Sequence, residues 1–182
     1  MAEIKIVQGD ITKMKADAIV NAANKSLLGG GGVDGAIHAA AGPELLEECR
    51  ALHGCETGEA KITKGYNLPA KYIIHTVGPI YRFHDQAENK RLLSNCYNNS
   101  LNLAKKYDLH SIIFSSISTG VYAYPAEQAA EVAFSTAKKW LLDHPDYEME
   151  ITMCAFDHQM YRIFTQELAK IINDDSFYPK QK

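Results

Sequence analysis

The chain has 182 residues, of which 46 % are hydrophobic and 23 % are charged, and its formal net charge is -3. These values are typical of a single globular domain and exclude a disordered, collagen-like or coiled-coil protein. They also disfavour a broad basic surface that binds nucleic acid, because binding of that kind needs clustered positive charge.

Short apolar segments rich in β-branched and aromatic residues predict six strands. In chain order we expect them at residues 4–7, 17–21, 61–63, 72–77, 111–116 and 150–156. Apolar residues that recur every three or four positions predict helices between these strands. We expect the helices at 33–41, 43–52, 89–107, 125–141 and 160–172, with Pro125 in the first turn of its helix.

The alternation of strands and helices predicts an α/β fold with helices on both faces of the sheet. We expect one domain over residues 1–173, followed by a polar tail at 174–182. No heptad pattern suggests self-association through helices, so we expect a monomer.

The same sequence predicts a cytoplasmic protein without membrane association. It shows neither an apolar run of about 18 residues nor a basic N-terminal segment followed by an apolar one. The four cysteines have no close-spaced pairs, so we expect reduced thiols rather than a disulfide framework. They are Cys49, Cys55, Cys96 and Cys154.

The most unusual segment, residues 29–35, begins with four consecutive glycines. Glycine runs cost conformational entropy, and a close approach of the backbone to a ligand is one reason to keep them. The segment lies between a predicted strand and a predicted helix, so its N–H groups and the helix N-terminus predict an anion site for phosphate. A flexible surface loop is the alternative.

Residues 30–35 also match the dinucleotide-binding pattern G-x-G-x-x-G. In that motif the first glycine closely follows the strand, whereas residues 22–28 intervene here, so the spacing disfavours a dehydrogenase. A second strand–loop–helix segment at 115–122 offers small hydroxyl residues, a glycine and Tyr122. Two loops at the carboxyl edge of one sheet fit a long anionic ligand, although ordinary turn chemistry explains the second loop equally well.

Taken together, five segments resemble the macrodomain family, specifically its MacroD-type branch. They are GDIT at 9–12, DAIVNAAN at 17–24, LLGGGGVDGAIH at 27–38, YIIHTVGP at 72–79 and SISTGVYAYP at 116–125. The resemblance implies a three-layer α/β/α fold around a mixed, roughly six-stranded sheet, with ADP-ribose in a cleft along one edge. It implies hydrolysis of ADP-ribose esters, either on Asp and Glu side chains of modified proteins or in O-acetyl-ADP-ribose. It implies neither a metal nor a cofactor.

The resemblance also implies how the ligand is held. Asp10 would accept from the adenine amine beside the Ile11 N–H, although Asp is equally suited to cap a short turn there. Phe156 would stack on the adenine. The alternative is an aromatic residue of the core, which is the more common role of a single Phe at the end of a strand. The diphosphate and distal ribose would be bound by Gly32, Val33, Ser118, Thr119, Gly120, Val121 and Tyr122.

Asn24 and Asp34 are the residues to which the resemblance assigns chemistry. The Asn24 amide would orient the ribose hydroxyls, and Asp34 would orient a water and stabilise positive character on the sugar ring. An acidic residue in the first helical turn that complements the helix dipole is the alternative for Asp34. His38 lies four residues later on the same helix face and is a third catalytic candidate, against the alternative of a packed or solvated histidine.

Other candidate sites are weaker. Cys49, His53 and Cys55 lie close in sequence but lack the ligand number and paired spacing of a zinc site, so we predict no metal. The remaining histidines, His75 among them, form no constellation in the sequence. A non-catalytic reader that binds ADP-ribose, and an RNA binder, remain the alternative functions; the presence of Asn24 and Asp34 favours a hydrolase.

Overall fold

The computed structural model describes residues 4–172 and shows a single six-stranded sheet flanked by five helices. The strands are β1 Ile4–Gln8, β2 Ala18–Ala22, β3 Ala60–Lys64, β4 Tyr72–Thr76, β5 Ser111–Phe114 and β6 Glu150–Ala155. The helices are α1 Gly32–Ala41, α2 Pro43–Leu52, α3 Gln86–Lys106, α4 Ala126–Asp143 and α5 His158–Ile172. Every predicted strand and helix is confirmed. The predicted tail at 174–182 lies outside the described residues.

The sheet is mixed, with the strand order β1-β6-β5-β2-β4-β3. The first five of these strands run parallel, and only β3 pairs antiparallel with its neighbour β4. Parallel strands end at the same edge, so the segments that follow β1, β6, β5 and β2 lie side by side there. We call this the carboxyl edge. It brings together residues that are up to 146 positions apart in the chain, from Asp10 to Phe156.

Each face of the sheet buries its own apolar core, which confirms the predicted three-layer α/β/α architecture. In β2, Ile19 packs with Ile37 and Leu45 of α1 and α2. Its neighbours Ala18 and Val20 point the other way, into the core formed with α3, α4 and α5. The side chain of Asn21 follows this alternation and faces α1 and α2. Within residues 4–172, no helix is long and apolar enough to cross a membrane.

Most of the predicted boundaries differ from the observed ones by one to three residues, and two of these differences are described by local contacts or dihedral angles. Pro125 precedes α4 as its N-cap, with an extended ψ of 128°, rather than lying in the first turn. The strand predicted to reach residue 116 ends at Phe114. Just beyond it the Val20 carbonyl accepts from Ser115 Oγ at 2.7 Å and, at the longer distance of 3.4 Å, from the Ser115 N–H.

The C-terminal end of α2 is held by a half-buried cation from the sheet. Lys61 Nζ of β3 donates to the Leu52 carbonyl at 2.7 Å and also to the Gly54 carbonyl. Carbonyls at a helix end lack intrahelical partners and carry the negative end of the helix dipole. Lys61 therefore joins the edge strand to the helix that covers it.

We expect Lys61→Met to lower the free energy of unfolding by about 2 kcal/mol, because hydrogen bonds to a charged group contribute about 1.5–3 kcal/mol. In a domain of this size the melting temperature would fall by about 4–8 °C, measurable by circular dichroism. Lys64→Met is the control, since Lys64 is exposed on the same strand. Equal losses in the two variants would contradict a specific role for Lys61.

Candidate active site at the carboxyl edge of the sheet

The predicted site residues lie along the carboxyl edge in the order of the strands that carry them. Asp10 follows β1, Phe156 follows β6, the loop 115–122 follows β5, and the loop 23–31 that contains Asn24 follows β2. Neighbouring strands are about 4.8 Å apart, so the three intervals from β1 to β2 span about 14 Å. The edge is thus a row of four loops rather than a single point.

The glycine run after β2 leaves the start of α1 open to a ligand. Gly31 is the N-cap and offers no side chain to the first turn. Among the described residues no acceptor is recorded for the N–H groups of Gly32, Val33 and Asp34, whereas Gly35 N–H already binds the Gly31 carbonyl at 3.2 Å. These free donors and the positive end of the helix dipole favour an anion.

One of the glycines is required by a close approach rather than by flexibility, and a second is closely surrounded. A Cβ atom on Gly35 would lie 2.5 Å from the Gly30 carbonyl oxygen, which no side chain tolerates. A Cβ on Gly30 would lie 3.2 Å from Asp34 Oδ2 and 3.3 Å from Asn24 Nδ2. Asn24 and Asp34 therefore flank the same glycine, which places the two predicted catalytic residues together.

Asn24 holds the loop that carries it. Its Oδ1 accepts from Ser26 Oγ at 2.7 Å and from the Leu27 N–H at 3.2 Å, and its Nδ2 donates to the Gly29 carbonyl at 3.0 Å. An amide nitrogen has two hydrogens, so one N–H of Asn24 is left for a ligand. The loop is therefore ordered by the residue predicted to contact the substrate.

Asp34 lies in the first turn of α1 but is only 4 % exposed. Its Oδ1 accepts from Asn21 Nδ2 at 2.8 Å, and His38 Nε2 lies 3.5 Å from the same oxygen. Burial raises the pKa of Asp34 above its usual value of 3.8, against the opposing effects of the Asn21 hydrogen bond and the His38 charge. A helix-dipole role alone does not explain a carboxylate buried to this degree.

The side chains that lie behind Asp34 were not predicted as part of the site. The expectation that His75 belongs to no constellation is wrong, because its Nδ1 lies 3.1 Å from Asn21 Nδ2 and its Nε2 lies 2.9 Å from Thr63 Oγ1. Burial lowers the pKa of His75 to about 3, so its ring is neutral. The available signal was polar residues inside two otherwise apolar strands, Asn21 in β2 and His75 in β4.

The loop after β5 is shaped by a residue with a left-handed backbone. Ser118 has a φ of 66°, and its Oγ donates to the Pro79 carbonyl at 2.9 Å. A Cβ on Gly78 would overlap this hydroxyl, so the glycine after β4 is needed to seat the loop. The side chain of Ser118 is therefore used internally and leaves only its N–H for a ligand.

The other predicted residues of this loop stay open. In the described part of the chain, no acceptor is recorded for the N–H groups of Thr119, Gly120 and Val121. The Val121 side chain is 92 % exposed. Burial and the charge of Asp34 raise the pKa of Tyr122, whose side chain is half-buried.

At the opposite end of the edge lie Asp10 and Phe156, for each of which the sequence left a structural role as an alternative. Asp10 does cap a short turn, since its Oδ1 accepts from the Thr12 N–H at 3.0 Å and from Thr12 Oγ1 at 2.6 Å, and these bonds lower its pKa. The neighbouring Ile11 is buried. The core alternative for Phe156 is wrong, because its ring is 87 % exposed just beyond β6.

The cysteines form no metal centre in the described residues. No group of three or more His, Cys, Asp or Glu side chains there is arranged to hold a metal ion. Cys49 Sγ instead lies 4.0 Å from His75 Nε2, and burial raises the pKa of the Cys49 and Cys55 thiols to about 11 each.

Comparison with known proteins matches residues 20–133 to the Macro domain family. The chain is 52 % identical over 178 residues to the ADP-ribose glycohydrolase MACROD2 of Xenopus laevis. The matched region covers 98 % of this chain and 41 % of that protein. It thus spans about two fifths of the length of this relative. It is 54 % identical over 173 residues to a Macro domain-containing protein of Lactiplantibacillus plantarum, covering 95 % of this chain and 100 % of the other.

Solved structures agree with these relatives. A mutant macrodomain of Oceanobacillus iheyensis with ADPR has a TM-score of 0.88 at 46 % identity, over 93 % of each chain. A Trypanosoma brucei macrodomain in complex with ADP-ribose has a TM-score of 0.84 at 44 % identity, over 90 % of this chain and 68 % of the other.

The raised pKa of Asp34 predicts a pH-dependent cost to stability. Because ionisation is disfavoured in the folded state, the stability that Asp34 contributes below pH 3.8 is lost as the pH rises through its folded pKa. We expect Asp34→Asn, which keeps Oδ1 as an acceptor, to melt at a higher temperature than the wild type at pH 7.

Thermal melts between pH 3.5 and 7.5 test this expectation, and the gap between the two proteins should close towards pH 3.5. Asp146→Asn is the control, since Asp146 is an exposed carboxylate between α4 and β6. A gap that is constant with pH would contradict the assignment of the cost to ionisation.

Proposed function

Because this chain belongs to the Macro domain family, we propose that it binds ADP-ribose along the carboxyl edge and hydrolyses esters of ADP-ribose. The observation that carries the proposal is the buried carboxylate of Asp34 beside the Asn24 amide, at the open N-terminus of α1. The names of the relatives, ADP-ribose glycohydrolases, and the neighbouring structures with ADPR or ADP-ribose support it.

In the proposed complex the ligand lies along the row of loops. The adenine stacks on Phe156 and its amine donates to Asp10, next to the Ile11 N–H. The diphosphate accepts from the free N–H groups at the start of α1 and in the loop 118–121. These backbone dipoles stabilise its negative charge although the protein as a whole is acidic. The distal ribose then reaches Asn24, Asp34 and Tyr122. The span of about 14 Å fits such an extended ligand.

The proposed chemistry is attack by one water on the ester. A new C–O bond forms, the ester C–O bond breaks, and the products are ADP-ribose and the free acid. Asp34 orients the water and accepts its proton, and its charge stabilises positive character on the ribose if the anomeric carbon is attacked. The free N–H of Asn24 holds a ribose hydroxyl, and His38 lies close enough to Asp34 to assist proton transfer.

We propose two kinds of substrate, ADP-ribose esters on Asp or Glu side chains of proteins and O-acetyl-ADP-ribose. Both present the same ester to the same site, so they are alternatives of source rather than of chemistry. We further propose a monomer in the cytoplasm, an environment that suits its four free and buried cysteines.

We expect Asp34→Ala to lower kcat for release of ADP-ribose from a glutamate-modified protein by at least about 100-fold, because a general base contributes about 10²–10⁴-fold. The affinity for free ADP-ribose, measured by calorimetry, should change less than about fivefold. Asp146→Ala is the control, and thermal melts confirm that both variants are folded.

A folded Asp34→Ala variant with wild-type turnover would contradict the role of Asp34. A wild type that binds ADP-ribose but releases none would make the protein a reader and overturn the hydrolase. Asn24→Ala is a poorer first test, because losing Asn24 also frees the loop from residue 24 to 29.

We expect Phe156→Ala to weaken ADP-ribose binding by about 5- to 150-fold, since stacking of a base on an aromatic ring contributes about 1–3 kcal/mol. Affinity for ribose 5-phosphate, which lacks the base, should be unchanged. Phe83→Ala is the matched control, because Phe83 is also exposed but lies in the short turn Tyr81–Phe83. Equal affinities of the two variants for ADP-ribose would contradict the adenine site.

A further inference from the structure

A chain of buried polar side chains runs from Asp34 through three neighbouring strands. Asn21 of β2 and His75 of β4 are register partners in the sheet, and both side chains are fully buried. Thr63 of β3 lies beside His75 on the same face and is 2 % exposed. Polar groups this deep destabilise a core unless they are hydrogen-bonded, so their hydrogen bonds are informative.

The hydrogens in this series of polar side chains can be assigned by starting at Thr63, the member farthest from Asp34. Thr63 Oγ1 donates its one hydrogen to the Lys64 carbonyl at 3.1 Å, so it accepts from His75 Nε2 at 2.9 Å. His75 Nδ1 is then without hydrogen and accepts from Asn21 Nδ2 at 3.1 Å. The second hydrogen of Asn21 Nδ2 goes to Asp34 Oδ1 at 2.8 Å.

This assignment also fixes the amide of Asn21. Turning the amide over would place Asn21 Oδ1 against the carboxylate of Asp34 and would leave His75 Nδ1 without a donor. Asn21 Oδ1 has no hydrogen-bond partner among the described residues, so its position is set by the bonds that Nδ2 makes. The neutral His75 ring, whose pKa burial lowers to about 3, keeps the acceptor in place throughout the physiological pH range.

The last hydrogen bond of this buried series, from Asn21 to Asp34, determines which oxygen of Asp34 is available to a substrate. Oδ1 is turned inward to Asn21, whereas Oδ2 lies beside Gly30, where a Cβ would stand 3.2 Å from Oδ2 and 3.3 Å from Asn24 Nδ2. We propose that His75 is a positioning residue, which through Asn21 holds Asp34 with Oδ2 directed at the substrate. This inference rests on the proposed function, since it concerns the same carboxylate.

The tautomer of His75 can be measured without any enzymatic activity. Long-range ¹H–¹⁵N correlation spectra of the ¹⁵N-labelled protein report which ring nitrogen carries the hydrogen. We expect Nε2–H with an unprotonated Nδ1 from pH 5 to 8, and we expect Thr63→Val to reduce the population of this tautomer. An Nδ1–H tautomer, or a ring that becomes charged in this range, would overturn the proposal.

Kinetics then test the positioning role. His75→Phe removes the acceptor while keeping a planar ring, and we expect kcat to fall by about 10- to 100-fold, the scale of a small misplacement of a reacting group. The dissociation constant for ADP-ribose should stay within about threefold. His75→Asn places its amide oxygen near the position of Nδ1, and we expect it to recover at least about tenfold of the lost kcat.

Thr76→Val is the matched control, because Thr76 is the next residue of β4, equally buried, and its side chain points to the opposite face, where it donates to the Glu59 carbonyl. We expect its kcat to equal that of the wild type. Equal loss in Thr76→Val and His75→Phe, or unchanged kcat in a folded His75→Phe variant, would overturn the proposal.

The failure of this inference can be told from failure of the proposed function. A wild type without turnover contradicts the hydrolase, whatever the tautomer of His75. A wild type with turnover that His75→Phe leaves intact contradicts only the positioning role.

Discussion

The buried carboxylate of Asp34 is the interaction on which the site depends. A carboxylate removed from water is costly unless donors compensate it, and here Asn21 supplies the donor from the middle of the sheet. Asn21 can do so because β2 is a central strand, paired with β4 and β5 on its two sides. The sheet therefore supplies a rigid support for the one carboxylate at the start of α1.

The fold could be predicted almost completely from sequence because its elements are strongly patterned. The strands β2, β4, β5 and β6 are buried on both faces over most of their length and appear as largely apolar runs, and the helices show a clear three- and four-residue spacing. The errors occurred at the ends of strands and helices. At the end of β5 the Val20 carbonyl accepts from the Ser115 hydroxyl as well as from the Ser115 N–H, and no propensity scale includes the hydroxyl contact.

The candidate site was predicted less completely, and the reason is physical. Asp34 at the edge belongs to a contiguous motif, and Phe156 follows a strand that the sequence predicts, although the sequence alone could not show that the Phe156 ring is exposed. The residues behind the edge are not contiguous. Asn21 and His75 are 54 positions apart and become neighbours only through strand register, which a single sequence does not specify.

The order of the strands has a consequence for selectivity. Because the loops after β1, β6, β5 and β2 stand in a row, the sheet works as a ruler whose divisions are the spacing between strands. In the proposed complex a ligand is read by its length as well as by its groups: one end is fixed at β1 and β6, and the reactive end reaches β2 only if the linker spans the intervening strand. Shorter nucleotides would occupy the ruler without reaching Asp34, and would compete with the substrate without being consumed.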